Sequence, residues 1–299
     1  MVGTVLAASA LVVLLAGRWG QFAGAAAGAA WWALATAAAL QAASLVARSE
    51  AWHVCVHAAG GTVPRRRLYR AASVGYLGNI VNGELGFAAR IASLRRAAPG
   101  ETPTTVVLAA TEVPIVLMEV VLGTLTAFTL VAPLGLPWWT PFVAFCAVLA
   151  IVAGLGRLAQ RHPSGWWQGL AALGDARARS RVAVFVVLAV CAQIARNWLM
   201  LHAIGVHASL FDATAVLIAV AVLGALPVGP GVGAGAMVLI LGSNGVAGVS
   251  AAGVLLTASG TVGALAYAGW ALGDRVWATG RTGLRRRASR TARRAAALT

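Results

Sequence analysis

Acidic residues are scarce in this chain, and lysine is missing altogether. Eight Asp and Glu residues stand against 23 basic residues, all of them arginine, in a chain of 299 residues. Charged residues make up 10% of the sequence and hydrophobic residues 60%, with a mean hydropathy of +0.83. Soluble domains carry about 25% charged residues. The composition therefore excludes a soluble globular domain and predicts an all-α, polytopic integral membrane protein.

The net charge of +15 does not indicate a nucleic-acid partner. All the arginines except Arg18 and Arg196 lie between and after the apolar runs, in three blocks at 48–96, 157–181 and 275–294, rather than on one soluble face. Cytoplasmic loops of membrane proteins carry the excess of arginine. We therefore predict anionic lipid headgroups and the membrane as partners, with the three blocks and both termini on the cytoplasmic side of a plasma membrane.

Metal and cofactor signals are also lacking. His53 and His57 stand four residues apart with Glu50 nearby, but there is no HExxH motif, and we interpret them as part of an interfacial helix. No P-loop, dinucleotide fingerprint or nucleophile elbow is present, so neither a metal nor a cofactor is predicted. The few cysteines have no paired spacing that would indicate disulfides or zinc: Cys55, Cys146 and Cys191.

Six apolar windows are long enough, or nearly so, to span a bilayer as helices. They cover Val2–Gly17, Phe22–Ala47, Thr104–Val131, Trp138–Leu155, Val182–Ile204 and Ala247–Leu272. We interpret the first as a transmembrane helix, with a signal anchor as the alternative. We divide the chain into a transmembrane domain at 1–274 and a basic cytoplasmic tail at 275–299, which is either disordered or a helix on anionic lipid.

Two further apolar segments, Ala71–Leu94 and Leu210–Gly242, are interrupted and are predicted to be re-entrant hairpins or kinked spans. The second has two prolines, Pro227 and Pro230, and a glycine at every second position from Gly229 to Gly235, including Gly231 and Gly233. Proline removes a backbone donor, and such a break is tolerated at membrane depth only where protein or a water-filled cavity satisfies the backbone. We therefore expect it to face residues 79–90 across a shared substrate-binding cavity.

The first interrupted segment supplies polar groups for that cavity. Asn79, Asn82 and Glu84 offer hydrogen-bonding groups, and Arg90 can meet a phosphate. The N-terminus of a half-helix near such a turn would add backbone donors for an anion. The alternative is a loop at the membrane surface with ordinary polar residues.

Charges inside apolar windows cost free energy and are candidate site residues. Glu112 and Glu119 lie in the third window and Arg196 in the fifth, where Asn197 and Gln193 share its helical face. The third and fifth windows are predicted to run in the same direction. Counting residues from their cytoplasmic ends places Glu119 and Arg196 at the same depth in the membrane. We predict that these two charges pair or share a polar cavity, either as a structural ion pair or as an anion site lined by Arg196.

The two interrupted segments together resemble the lysylphosphatidylglycerol synthase transmembrane family, a flippase-like domain found alone in many prokaryotes and also fused to an aminoacyltransferase. The family shows an asparagine, a turn with glycine, a Gly-Glu pair, an arginine, a later acidic residue and a Pro-Gly break. The matching positions are Asn79, Gly83, Gly86, Arg90, Glu112, Pro227, Pro230 and Gly231. The resemblance implies a prokaryotic protein that binds an anionic phospholipid or polyprenyl-phosphate-linked sugar and moves it across the bilayer.

The chain departs from the family pattern at Asn82, Phe87, Val113 and Met237, with Glu84 close to the place of the missing Gly-Glu glutamate. Lipid aminoacylation by this chain alone is not expected. Two other functions stay open. One is a membrane-embedded transferase or phosphatase that uses Glu84 or Glu112. The other is a non-transporting partner of a cell-envelope synthase such as a glycosyltransferase; a homo-oligomer is also open.

Overall fold

The structure is a computed structural model, and it describes residues 24, 27–81, 83–162, 164–224, 237, 238, 240, 241 and 246–296. All regular secondary structure in these residues is helical, as the sequence predicts. The helices are α1 Trp31–Ala58, α2 Arg65–Val81, α3 Gly83–Ala97, α4 Thr105–Ala110, α5 Val113–Thr126, α6 Val131–Leu134, α7 Thr140–Arg161, α8 Ala171–Gly174, α9 Ala176–Ala203, α10 Leu210–Gly224 and α11 Val246–Ala296. Two 3₁₀ segments, Ala127–Leu130 and Gly165–Leu170, connect neighbouring helices.

Four helical stretches among the described residues are long and apolar enough to cross a membrane. They are Thr105–Leu130, Thr140–Arg161, Ala176–Ala203 and Val249–Trp277, and each overlaps one of the predicted windows. The shorter apolar stretch Leu210–Val222 lies in α10. The last helix does not end with its apolar part, since α11 continues through the basic segment to Ala296.

The predicted window Phe22–Ala47 has different bounds in the structure. Helix α1 begins at Trp31 and ends at Ala58, which makes it 28 residues long. It runs past Arg48, and the chain turns only at Gly60, which has a φ of +84°. Glycine adopts this left-handed conformation without steric cost. Arg48 is therefore a helical residue and not a loop residue.

The predicted interruption of Ala71–Leu94 is a tight helical hairpin. Helices α2 and α3 lie against each other at glycines: a Cβ built on Gly78 would stand 2.6 Å from the Gly86 Cα, and one on Gly75 would stand 2.7 Å from the Arg90 Cβ. Residues before the break thus meet residues after it in reverse order, as in an antiparallel pair. Both arginine-bearing ends of the hairpin therefore lie on the same side.

The three arginine blocks meet at one end of the helical bundle. Arg70 of α2 donates hydrogen bonds from Nε and Nη2 to Asp274 Oδ2, at 2.9 and 2.6 Å, which joins the first block to the third. Gln168, from the segment that carries the second block, donates to the carbonyl oxygen of Ala59 at the end of α1, at 2.9 Å. A common end for all three blocks is the arrangement that the positive-inside rule requires. The orientation itself stays a prediction.

Several predicted features lie outside the described residues. These are the apolar run Val2–Gly17, the turn residue Asn82, and the Pro-Gly break with Pro227, Gly229, Pro230, Gly231 and Gly233. Their predicted roles, including the position of the break opposite Asn79 and Arg90, stay predictions.

Candidate functional site

A cavity of about 220 Å³ lies between the α2–α3 hairpin, α1 and the junction of α4 with α5. Its polar lining includes three of the predicted site residues, Asn79, Arg90 and Glu112, together with Arg48. The remaining lining residues come mostly from the hairpin: Gly75, Tyr76, Gly83, Gly86, Phe87 and Ile115. Helix α3 begins at Gly83, so a helix N-terminus with its partial positive charge also lies at this cavity.

Glu112 reaches the cavity because the third predicted span is broken beside it. Thr111 and Glu112 separate α4 from α5, and Pro114 stands in the first turn of α5. Proline has no backbone N–H and cannot continue the hydrogen-bond ladder of α4. The Thr111 hydroxyl bonds the Leu108 carbonyl oxygen at 2.6 Å. The break thus fixes the acidic side chain at the level of the hairpin.

Arg90 is the most confined charge of the cavity. Its guanidinium forms an ion pair with Glu112, and the two side chains are only 12% and 18% exposed. The Cζ atom also lies 4.4 Å from the ring centroid of Trp52. Trp52 is fully buried and donates from Nε1 to the Thr111 hydroxyl at 3.0 Å. Carboxylate and ring together hold the arginine in one place, facing the cavity.

Glu119 and Arg196 were predicted to pair or to share a polar cavity; the ion pair is wrong, and neither residue lines the cavity described above. Glu119 pairs with Arg48 instead, with 2.7 Å between Oε1 and Nη2. Arg48 becomes available because α1 continues beyond the predicted end at Ala47 and carries this side chain into the bundle. Arg48 also lies near enough to Arg196 for the two positive charges to repel each other. Three charged side chains thus line the cavity, Arg48, Arg90 and Glu112, and Glu119 lies behind Arg48 as its counter-charge.

Replacing Glu119 by glutamine is expected to lower the free energy of unfolding by about 2 kcal/mol, because Arg48 then loses its counter-charge in a place of low polarity. The loss is smaller than the 3 to 5 kcal/mol typical of a fully buried pair, because the two side chains are 35% and 25% exposed. Adding Arg48→Gln should restore most of the stability. Thermal unfolding of the purified single and double variants measures this, and equal losses in both would contradict the pairing.

The other predicted site residues lie elsewhere. Glu84 stands in the first turn of α3, exposed, and does not line the cavity. Arg196 and Asn197 lie on α9, which also contributes no residue to the cavity wall. Arg196 donates instead to Gln41 Oε1 on α1. The structure therefore brings Asn79, Arg90 and Glu112 together and places the α9 residues at a second position.

Three residues at the site were not predicted from the sequence: Arg48, Tyr76 and Trp52. The sequence does carry a signal for Arg48, because Gln41, Ser44 and Arg48 follow each other at helical spacing and no proline or glycine separates them. Tyr76 has no such signal. Its hydroxyl bonds the Leu45 carbonyl oxygen at 3.3 Å, a contact that depends on how α2 packs on α1.

Among curated proteins and among solved structures, none matches the chain significantly. The family described as the lysylphosphatidylglycerol synthase TM region matches residues 1–269, which include the hairpin, the α4–α5 junction and the segments with Arg48 and Arg196. The protein is therefore a member of the lysylphosphatidylglycerol synthase transmembrane-region family, a membrane protein of a lipid-related process.

Proposed function

We propose that this protein binds the headgroup of an anionic lipid in the cavity and moves that lipid across the membrane. The observation that carries the proposal is the lining of the cavity, where Arg48 and Arg90 stand beside Asn79 and the N-terminus of α3. Guanidinium groups, amides and helix N-termini are the groups with which proteins bind phosphate. The proposed substrates are anionic phospholipids and polyprenyl-phosphate-linked sugars.

The paired state of the arginines supports binding that is selective and reversible. Arg90 is already held by Glu112, and Arg48 by Glu119, so a phosphate that enters the cavity has to compete with a carboxylate for each guanidinium. Part of the free energy of binding is spent on this exchange. A carrier needs such moderate affinity, because a substrate that is bound too tightly is not released on the other side.

The position of the cavity supports entry from the side of the bundle. Asn79 and Phe87 line the cavity and are exposed, while Arg90 and Glu112 lie further inside. A headgroup can thus pass an amide and an aromatic ring before it meets the ion pair. Exposed apolar residues of the same hairpin, Leu77, Ile80 and Leu85, offer a surface for the acyl chains.

The experiment is a flux assay in proteoliposomes made of phosphatidylcholine with phosphatidylglycerol. Fluorescent phosphatidylglycerol in the outer leaflet is quenched by a membrane-impermeant reductant, so the fraction that becomes accessible over time measures movement. We expect faster loss of signal with the protein than in protein-free vesicles, and no acceleration for fluorescent phosphatidylcholine. Equal rates with and without protein, for phosphatidylglycerol and for polyprenyl-phosphate sugars, would overturn the proposal.

A further inference from the structure

A second polar cluster lies between α1 and α9, apart from the cavity. Gln193 of α9 donates from Nε2 to the hydroxyl of Ser44 on α1 at 3.1 Å, and Arg196, one turn further along α9, donates to Gln41 on α1. Ser44 is fully buried. These polar contacts join the two helices. Apolar side chains could pack the same contact, so packing alone does not explain why polar residues stand here.

Arg196 carries a positive charge that no carboxylate compensates among the described residues. The two glutamates of the third span are paired with Arg90 and Arg48. The charged side chain that acts on Arg196 is Arg48, which has the same sign, and the Nε atom of Arg196 is buried without a hydrogen-bond partner. A cation in this state attracts an anion into the membrane interior.

Asn197 is the second, independent observation. It is 1% exposed, and neither its Oδ1 nor its Nδ2 atom has a hydrogen-bond partner within the described part of the chain. It lies four residues after Gln193 and therefore on the face of α9 that meets α1. A buried amide with both atoms unsatisfied is costly to keep. A bound ligand that both donates and accepts hydrogen bonds would satisfy it.

A glycine lets α11 approach the guanidinium closely. A Cβ built on Gly260 of α11 would stand 3.3 Å from Nη1 of Arg196, so any larger residue would press on the charged group. The cluster is thus bordered by three helices, with a small residue where the third one approaches. A buried cation and an unsatisfied buried amide are groups with which a protein can bind an anion.

We infer that Arg196 and Asn197, with Gln41 and Gln193 around them, form a second subsite for a phosphate-bearing headgroup. Arg196 binds the phosphate oxygens, and the Asn197 amide binds a phosphate oxygen and a headgroup hydroxyl, as glycerol or a sugar would offer. The inference rests on the proposed function and deepens it, because the subsite gives the same headgroup a second position on its way.

The two positions are arranged in series along α1. Gln41 precedes Arg48 by seven residues, which corresponds to about 10 Å along a helix. The end of α1 at Ala58 lies at the arginine-rich end of the bundle, so the Arg196 subsite lies further from that end than the cavity. Arg48 stands between them, paired with Glu119 and within electrostatic reach of Arg196. A headgroup that leaves Arg90 thus meets positive charge on its path to Arg196.

The test compares Arg196→Gln and Asn197→Leu with Arg157→Gln, a matched control that removes an exposed arginine outside both polar clusters. Binding of dihexanoyl phosphatidylglycerol and of inorganic phosphate to the purified proteins is measured by titration calorimetry. Flux of fluorescent phosphatidylglycerol is measured in the proteoliposomes described above. We expect about tenfold weaker lipid binding and slower flux in both variants, since each loses a hydrogen bond to a charged group, and no change in the control.

The outcomes separate this inference from the proposed function. Unchanged flux and lipid binding in both variants, with an active wild type, would overturn the subsite and leave the proposed function standing. If wild-type protein moves no lipid, the proposed transport fails, but lipid binding that depends on Arg196 would still support the subsite. Binding of inorganic phosphate without binding of the lipid would overturn a lipid as the ligand. Arg196→Lys, which keeps the charge, should retain part of the binding and replaces Arg196→Gln if that variant does not fold.

Discussion

Replacing Arg90 and Glu112 together by glutamine is expected to leave a folded protein that moves lipid at the rate of protein-free vesicles. The double variant removes the guanidinium that we assign to the phosphate, but it leaves no charge unpaired, since the two side chains compensate each other. Exchanging a whole buried ion pair for neutral groups is often close to neutral for stability. Flux in proteoliposomes with matched protein content gives the loss, and thermal unfolding checks the fold.

The single variants provide the contrast. Glu112→Gln leaves Arg90 without its carboxylate and should cost about 3 to 5 kcal/mol of unfolding free energy, the range for breaking a buried pair. The matched control is the exposed pair Arg67–Glu101, 2.8 Å apart with side chains 44% and 38% exposed. Its double replacement by glutamine should change stability by less than about 1 kcal/mol and leave flux intact. Full flux in the Arg90 and Glu112 double variant would remove these residues from the site.

Gly86→Ala is expected to open the hairpin and to abolish lipid movement. A Cβ at this position would collide with Oδ1 of Asn79 and stand 2.5 Å from the carbonyl oxygen of Gly75. Because one of these obstacles is backbone, α2 and α3 would have to separate, which costs about 1 to 3 kcal/mol or more. Asn79 and Gly75 both line the cavity, so its shape would be lost as well. Thermal unfolding and flux measure the two effects.

Gly83→Ala is the control for the Gly86 prediction. It stands on the same helix and also lines the cavity, but nothing lies within 4 Å of a Cβ built there. The same chemical change should therefore leave stability within about 1 kcal/mol of the wild type and preserve most of the flux. Equal behaviour of the two variants would mean that the close approach of α2 and α3 has no role in shaping the site.

The interruption of Ala71–Leu94 and three residues of the cavity, Asn79, Arg90 and Glu112, could be predicted from the sequence. Glycines and asparagines inside an apolar run mark a break by local chemistry, without knowledge of the rest of the chain. Arg90 and Glu112 were recognisable as candidate site residues because a charge in an apolar segment costs free energy and is rare without a function. The family resemblance used the same positions, and the family match over 1–269 confirms it.

The ion-pair partners could not be predicted in this way. Counting residues along a helix gives depth to within a turn, and on that basis Glu119 and Arg196 reached one level. It does not give the rotation of each helix or its neighbours, which packing determines. The apolar window ends at Ala47, before the charged Arg48, whereas α1 continues to Ala58 and the chain turns only at Gly60. That error hid the true partner of Glu119.

The most direct test of the cavity as a headgroup site is photocrosslinking with a phosphatidylglycerol analogue that carries a diazirine on its headgroup. The wild-type protein in phosphatidylcholine vesicles is irradiated, digested and sequenced by mass spectrometry. We expect adducts on the cavity-lining residues of the hairpin and on residues 112–115. Unlabelled phosphatidylglycerol should compete for these sites, and the adducts should be lost in the Arg90 and Glu112 double variant. Adducts confined to exposed outer faces such as that of α7, unaffected by competitor or by the double variant, would contradict this role of the cavity.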